Sequence, residues 1–112
     1  MALLETATAL VCMANAVYFE ARGEPLAGRI AVAHTIQNRV NVWRFPNTVC
    51  EVVTDGLRYK GTDVMVKNKC AFSFYCDGKP EIIDDKETYE WMKTISLGVM
   101  EGSLYIDLSE GA

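Results

Sequence analysis

An α+β fold is predicted for this chain, and three observations predict it. Apolar residues recur at three- and four-residue steps through two long stretches and again near the C-terminus, the mark of helices with one buried stripe. Between them a run of β-prone aromatic residues leads into Asp77-Gly78, a strong signal for a two-residue hairpin turn. Half of the 112 residues are hydrophobic and 23% are charged, which supplies a core and argues against disorder. That length suits one domain, taken as residues 1–112.

The elements follow in order. Residues 3–21 carry Leu3, Ala7, Leu10, Ala14, Val17 and Ala21 on one stripe, and Gly23 ends the helix. Glu24-Pro25 opens a second helix over 26–42, with Ile30, Ala33, Ile36 or Gln37, and Val40 at helical spacing. After a loop with Phe45-Pro46, Asn47 or Thr48 caps a short helix from Val49 to Thr54, which Asp55-Gly56 terminates. Residues 57–69 contain Lys60, Gly61, Lys67 and Lys69 without a period and read as loop. Ala71 to Cys76 reads as a strand, Asp77-Gly78 as its turn and Glu81 to Ile83 as the return strand. Asp84 or Asp85 caps a last helix from Lys86 to Met100, with Tyr89, Met92, Ile95 or Ser96, and Val99 on its inner face. Leu104 to Leu108 reads as a short strand or extended tail.

Charge and cysteine content narrow the function. Eleven Lys and Arg against fifteen Asp and Glu give a net charge of −4 with no basic run, which argues against binding nucleic acid through its phosphates. The longest uncharged stretch, Thr6 to Phe19, is too short for a bilayer span, and Met1 to Leu4 runs into Glu5 without a basic leader region. The chain therefore reads as carrying no membrane span and no export signal of its own. Cys12, Cys50, Cys70 and Cys76 allow three pairings, and there is no CxxC pair. The sole histidine, His34, is distant from most of them and reads as a surface or lightly bonded residue, so a zinc site has poor support and no metal or cofactor is expected. Cys12 lies in an apolar helical run and reads as a buried thiol. One disulfide among Cys50, Cys70 and Cys76 is plausible in an oxidising compartment.

The unusual passage is Tyr18-Phe19-Glu20-Ala21-Arg22-Gly23-Glu24-Pro25. Glu20 follows Val17 by three residues and Leu10 by ten, which places a carboxyl on or beside the core stripe. Burial there, with the negative end of the helix dipole, favours the proton-holding form, the state a general acid needs. The plainer alternative is that Glu20 pairs with Arg22 or Arg39 and ties two helices together. Glu24 stands at a helix start, where a carboxylate suits the dipole, and a structural role is favoured for it. Asn38, on the second helix, can bond a ligand or a loop backbone. In the expected hairpin Phe72, Phe74 and Cys76 face one side, and Ser73 and Tyr75 the other. Rings beside hydroxyls suit a sugar, whose CH-rich face packs on aromatics, although alternating phenylalanines more often fill a core.

Phe19 to Pro25, Gly28 with Ile30 to Ala33, Asn38-Arg39-Val40, Phe45 to Cys50, Val52-Val53 and Cys70 to Gly78 together resemble the SleB-like cell wall hydrolases, the family named for spore-cortex-lytic enzymes. The resemblance covers most of residues 10–78, with the motifs in the same order. It implies a lysozyme-like or lytic-transglycosylase-like helical domain with a small β-hairpin, acting on peptidoglycan glycan strands; a monomer is expected. It implies Glu20 as the catalytic acid, Glu24 as the second motif Glu, and Phe72, Ser73 and Phe74 as lining of a glycan groove; Ser73, Tyr75 and Asn38 are expected to orient the sugar. Two departures stand out. Family members usually continue past Gly111-Ala112 into a Tyr- and His-bearing segment, so the domain reads as short at its C-terminal end. Ala71 stands where a Gln is frequent.

With one carboxylate well placed, the economical mechanism is that of a lytic transglycosylase needing no cofactor. A muramidase using Glu24, Asp77 or Glu81 as second acid is the close alternative, and a catalytically silent glycan-binding module the distant one. The expected place of action is the bacterial wall, periplasmic or extracellular, reached by phage-assisted release or as part of a virion. A chain of net charge −4 gains nothing from long-range attraction to an anionic wall, so binding is expected to respond only modestly to salt.

Overall fold

The computed structural model describes residues 2–104, with side chains from residue 7 onward. Helix α1 spans Ala2–Ala21, α2 Leu26–Val40, α3 Val49–Val53 and α4 Lys86–Glu101. Strands β1 (Gly56–Arg58) and β2 (Met65–Cys70) form one antiparallel hairpin, and Ser73–Cys76 is a single 3-10 turn. The fold is therefore α+β, as expected. No helix among the described residues is long and apolar enough to cross a membrane.

Helix α1 is the centre. Met13, Ala14, Ala16, Val17 and Tyr18 are fully buried, because α2, α3 and α4 all pack on it. The small residues Ala14, Ala16 and Ala21 let the neighbouring helices approach closely. Ile30, Ala33 and Ile36 come from α2, Val49, Val52 and Val53 from α3, and Met92, Ile95 and Val99 from α4. The Thr48 side chain accepts from the Glu51 amide and so caps the start of α3, and its hydroxyl donates to the Glu51 carboxylate. Asp85 accepts from the Thr88 amide and caps α4, so of the two candidate caps it is Asp85 that serves. Gly102, at φ 82°, ends α4 in the left-handed region.

Three expectations are corrected. Residues 57–69 are not a loop but contain most of the hairpin. It has no period-two pattern, since no residue of either strand is buried, and its register shifts between Gly56↔Cys70 and Arg58↔Met65 with Asn68 at φ 63°. Conversely, Ala71 to Cys76 is no strand, and Glu81 to Ile83 does not return as one. Cys70 and Cys76 are joined by a disulfide with their Cα atoms 6.1 Å apart, whereas six extended residues would separate them by roughly 20 Å. The segment must fold back, and Asp77-Gly78 leads out of that turn, with Asp77 accepting from the Lys79 amide. Cys12 is no free thiol: it is bonded to Cys50, which fastens α1 to α3. The expected tail over Leu104 to Leu108 lies, beyond Leu104, outside the described residues.

Candidate active site

The last turn of α1 holds the candidate acid. Glu20 follows Ala16 by four residues and Met13 by seven, both fully buried, so it continues a covered face of the helix. Yet Glu20 itself is exposed, which overturns the expectation of a half-dry carboxyl. Tyr18 and Ala21 in the same turn are buried, so the covered side of that turn stops short of position 20. Burial therefore does not distinguish Glu20; its position next to Phe19, in the turn of α1 that meets Phe74, does. Among the described residues it makes no salt bridge and no side-chain hydrogen bond.

The expected partners are engaged elsewhere. Arg22 Nη1 donates to the Tyr18 hydroxyl at 2.7 Å and to Asp84 Oδ1 at 2.9 Å. The Tyr18 hydroxyl donates to the same Asp84 oxygen at 2.9 Å and accepts from the Asp85 amide at 3.1 Å. The Tyr18 bond, then the Arg22 bond, holds the Asp84 carboxyl below its usual range. Bonds from Thr88 do the same for Asp85. This cluster straps the start of α4 to the end of α1. Arg39 lies over the rings of Phe45 and Phe72. Neither arginine is left to neutralise Glu20.

Beside Glu20 the chain builds an aromatic shelf. Phe19 stacks on Phe74 with centroids 5.1 Å apart and meets Tyr18 edge-on, also at 5.1 Å. The 3-10 turn closed by Cys70–Cys76 thus lies against the end of α1. Phe72 turns inward and is buried, so the core role holds for it, while Phe74 is half-buried and Ser73 and Tyr75 are exposed. The structure brings Phe74 to the helix turn that carries Glu20, and Phe72 to Arg39, the neighbour of Asn38. Asn38 itself is exposed. Glu24 folds over the first turn of α2, its Oε2 3.5 Å from where a Cβ on Gly28 would sit, which fits its dipole role. His34 Nε2 lies 2.9 Å from the Leu104 carbonyl.

A separate cleft of about 480 Å³ is lined by Pro46, Glu51, Thr54, Asp55, Arg58, Asp63 and Tyr75. Of the candidate site residues it takes only Tyr75, and Glu20 is not in its lining. Glu81 is held above the usual carboxylate range, first by partial burial and then by nearby Asp77. Among the described residues no group of three or more His, Cys, Asp and Glu could hold a metal ion, and all four cysteines are in disulfides. Sequence reasoning missed two features: Phe19, whose stacking needs a partner 55 residues away in the chain, and the Tyr18–Arg22–Asp84 strap. For the strap, the one available signal was the i, i+4 spacing of Tyr18 and Arg22.

A family model described as cell wall hydrolase matches residues 23–111. That span includes Glu24, Asn38 and Phe72 to Tyr75, and begins just after Glu20. A spore cortex-lytic enzyme of Bacillus cereus is 61% identical over 41 residues, 37% of this chain and 16% of the relative. One of Oceanobacillus iheyensis is 61% identical over 41 residues, 37% of this chain and 15% of the relative. One of Bacillus subtilis is 49% identical over 47 residues, 42% of this chain and 15% of the relative. The matched stretch thus spans about a sixth of the length of these curated relatives. No solved structure matches the chain.

Proposed function

Because this chain belongs to the cell wall hydrolase family, we propose that it degrades peptidoglycan by cutting the glycan strand between N-acetylmuramic acid and N-acetylglucosamine. The observation that carries the reading is that the turn of α1 bearing the exposed, unpaired carboxyl Glu20 also bears Phe19, which stacks on Phe74. A pyranose laid on the shelf packs its CH face on the rings. In doing so it covers Glu20 and supplies the dry surroundings that the free protein lacks. Two disulfides suit work at the wall, outside the reducing cytoplasm.

The reaction is that of a lytic transglycosylase. Glu20 gives its proton to the bridging oxygen as the bond from the muramic acid C1 to that oxygen breaks. The muramic acid 6-hydroxyl then attacks C1, and the Glu20 carboxylate takes the hydroxyl proton, leaving an anhydro-muramyl end. No water is consumed. Ser73, Tyr75 and Asn38 orient the strand and Phe72 backs the shelf. Glu24 holds the start of α2 in place.

Glu20→Gln is the test. The side chain is exposed and unpaired, so the variant keeps the fold, and release of muropeptides from purified sacculi falls by at least about 100-fold. Unchanged release rules out the acid role. Product mass separates this reaction from a muramidase with Glu24, Asp77 or Glu81 as second acid, since hydrolysis adds one water. Binding to sacculi without any release by the unaltered protein identifies a silent glycan-binding module.

A further inference from the structure

The net charge of −4 conceals a division. Residues 56–70 carry four cations, Arg58, Lys60, Lys67 and Lys69, against the single carboxylate of Asp63, a net charge of +3. The rest of the chain has seven cations against fourteen carboxylates, net −7. The hairpin is also exposed on both faces, including Leu57 at 58%, Tyr59 at 58% and Val64 at 61%. Among the described residues none of its cations has a carboxylate within salt-bridge distance. Arg58 shares its cleft with Glu51, Asp55 and Asp63 and donates to the Thr54 carbonyl, so its charge is partly met. Lys60, Lys67 and Lys69 are not so engaged. Three unneutralised ammonium groups around exposed apolar side chains form a surface with no counterpart among the other described residues of this acidic chain.

We infer that the hairpin is a docking surface for the anionic, peptide-bearing face of a glycan strand. The inference rests on the proposed cutting of peptidoglycan and adds the part of the polymer that is gripped. Charge complementarity is one argument: the carboxylates of stem peptides recur along the strand, and lysines attract them from a distance and tolerate varied geometry. Continuity is the other. Strand β2 ends at Cys70, whose disulfide to Cys76 encloses the turn that holds Phe74 against Phe19. A strand lying on the shelf beside Glu20 therefore runs onto the hairpin, where Tyr59 and Leu57 meet sugar CH faces and the lysines meet the stems. An anionic lipid surface shares the charge but not the continuity. Contrary to the reading from net charge, attachment to the wall is strongly dependent on salt.

The test is co-sedimentation with purified sacculi in the Glu20→Gln background, at about 0.01 and about 1 M salt, where the screening length falls from roughly 30 to roughly 3 Å. The proposal expects at least about tenfold weaker binding at high salt. Lys60→Gln, Lys67→Gln and Lys69→Gln together give comparably weak binding already at low salt and remove the salt dependence. The same three positions changed to Arg keep both, and unaltered thermal midpoints show that all variants fold. Salt-independent binding, or full binding by the Gln variant, overturns the docking surface. So does preferential capture by vesicles of phosphatidylcholine and phosphatidylglycerol over sacculi. Continued muropeptide release in the Glu20→Gln background counts against the acid role alone, since binding is read separately.

Discussion

The four helices and the segment from Gly56 to Cys76 are held by different means. In the helical body each element buries an apolar face against α1, and side chains from Met13 to Val99 are excluded from water. In the hairpin no residue is buried, and a two-stranded hairpin alone is marginal in water. Local devices hold it: the Cys70–Cys76 bond, the Ala71 amide donating to the Asp55 carbonyl, and a close approach that only glycine permits at position 56. A Cβ on Gly56 would lie 2.8 Å from the Cys70 Cα and 2.9 Å from the Lys69 carbonyl oxygen. The rigid part carries Glu20; the pinned, exposed part carries the cations and one half of the aromatic shelf. Chemistry that needs a fixed proton donor and a tolerant grip on a varied polymer is served by that division.

The contrast yields three expectations, taken from the largest effect down. Replacing Cys12 and Cys50 by Ala opens a loop of 38 residues within the body and costs about 4 kcal/mol in denaturant unfolding. Replacing Cys70 and Cys76 opens a loop of six and costs about 2 kcal/mol, with activity on sacculi falling because Phe74 is released from Phe19. A greater loss of stability from the shorter loop would break the contrast. Next, Gly56→Ala forces backbone apart and costs roughly 1–3 kcal/mol. Hydrogen exchange should locate that loss at the Tyr59 and Ala71 amides, with those of α1 and α4 unchanged. Equal loss throughout would mean that hairpin and body unfold as one unit.

The smallest effect comes from Tyr18→Phe, which removes the hydroxyl shared by Arg22, Asp84 and the Asp85 amide and lowers the thermal midpoint by a few degrees. Its pH dependence sharpens the point. The Asp84 carboxyl is held low in the folded state, first by the bond from Tyr18, so the stability it adds is complete above the ordinary Asp range and is lost as pH falls below it. The gap between wild type and Tyr18→Phe is therefore widest near neutrality and narrows as pH falls below about 4. A gap that is constant across that range would show that the strap to Asp84 contributes nothing.

Much of this was legible in the chain itself. Helical period located α1, α2 and α4 to within about two residues, and Thr48 and Asp85 were readable as caps because capping is a local transaction between a side chain and an amide two or three residues on. The motif from Phe19 to Pro25 singled out Glu20. What the chain could not disclose depended on partners distant in sequence. A disulfide across six residues converted a strand-like run into a 3-10 turn, and strands exposed on both faces left no alternation to read. Helical spacing put Glu20 on a covered face, but which side chains of the last turn are covered depends on how the neighbouring elements meet it in space. Local pattern specifies which faces of an element are apolar; only the packed assembly decides which of those faces meet a neighbour and which meet water.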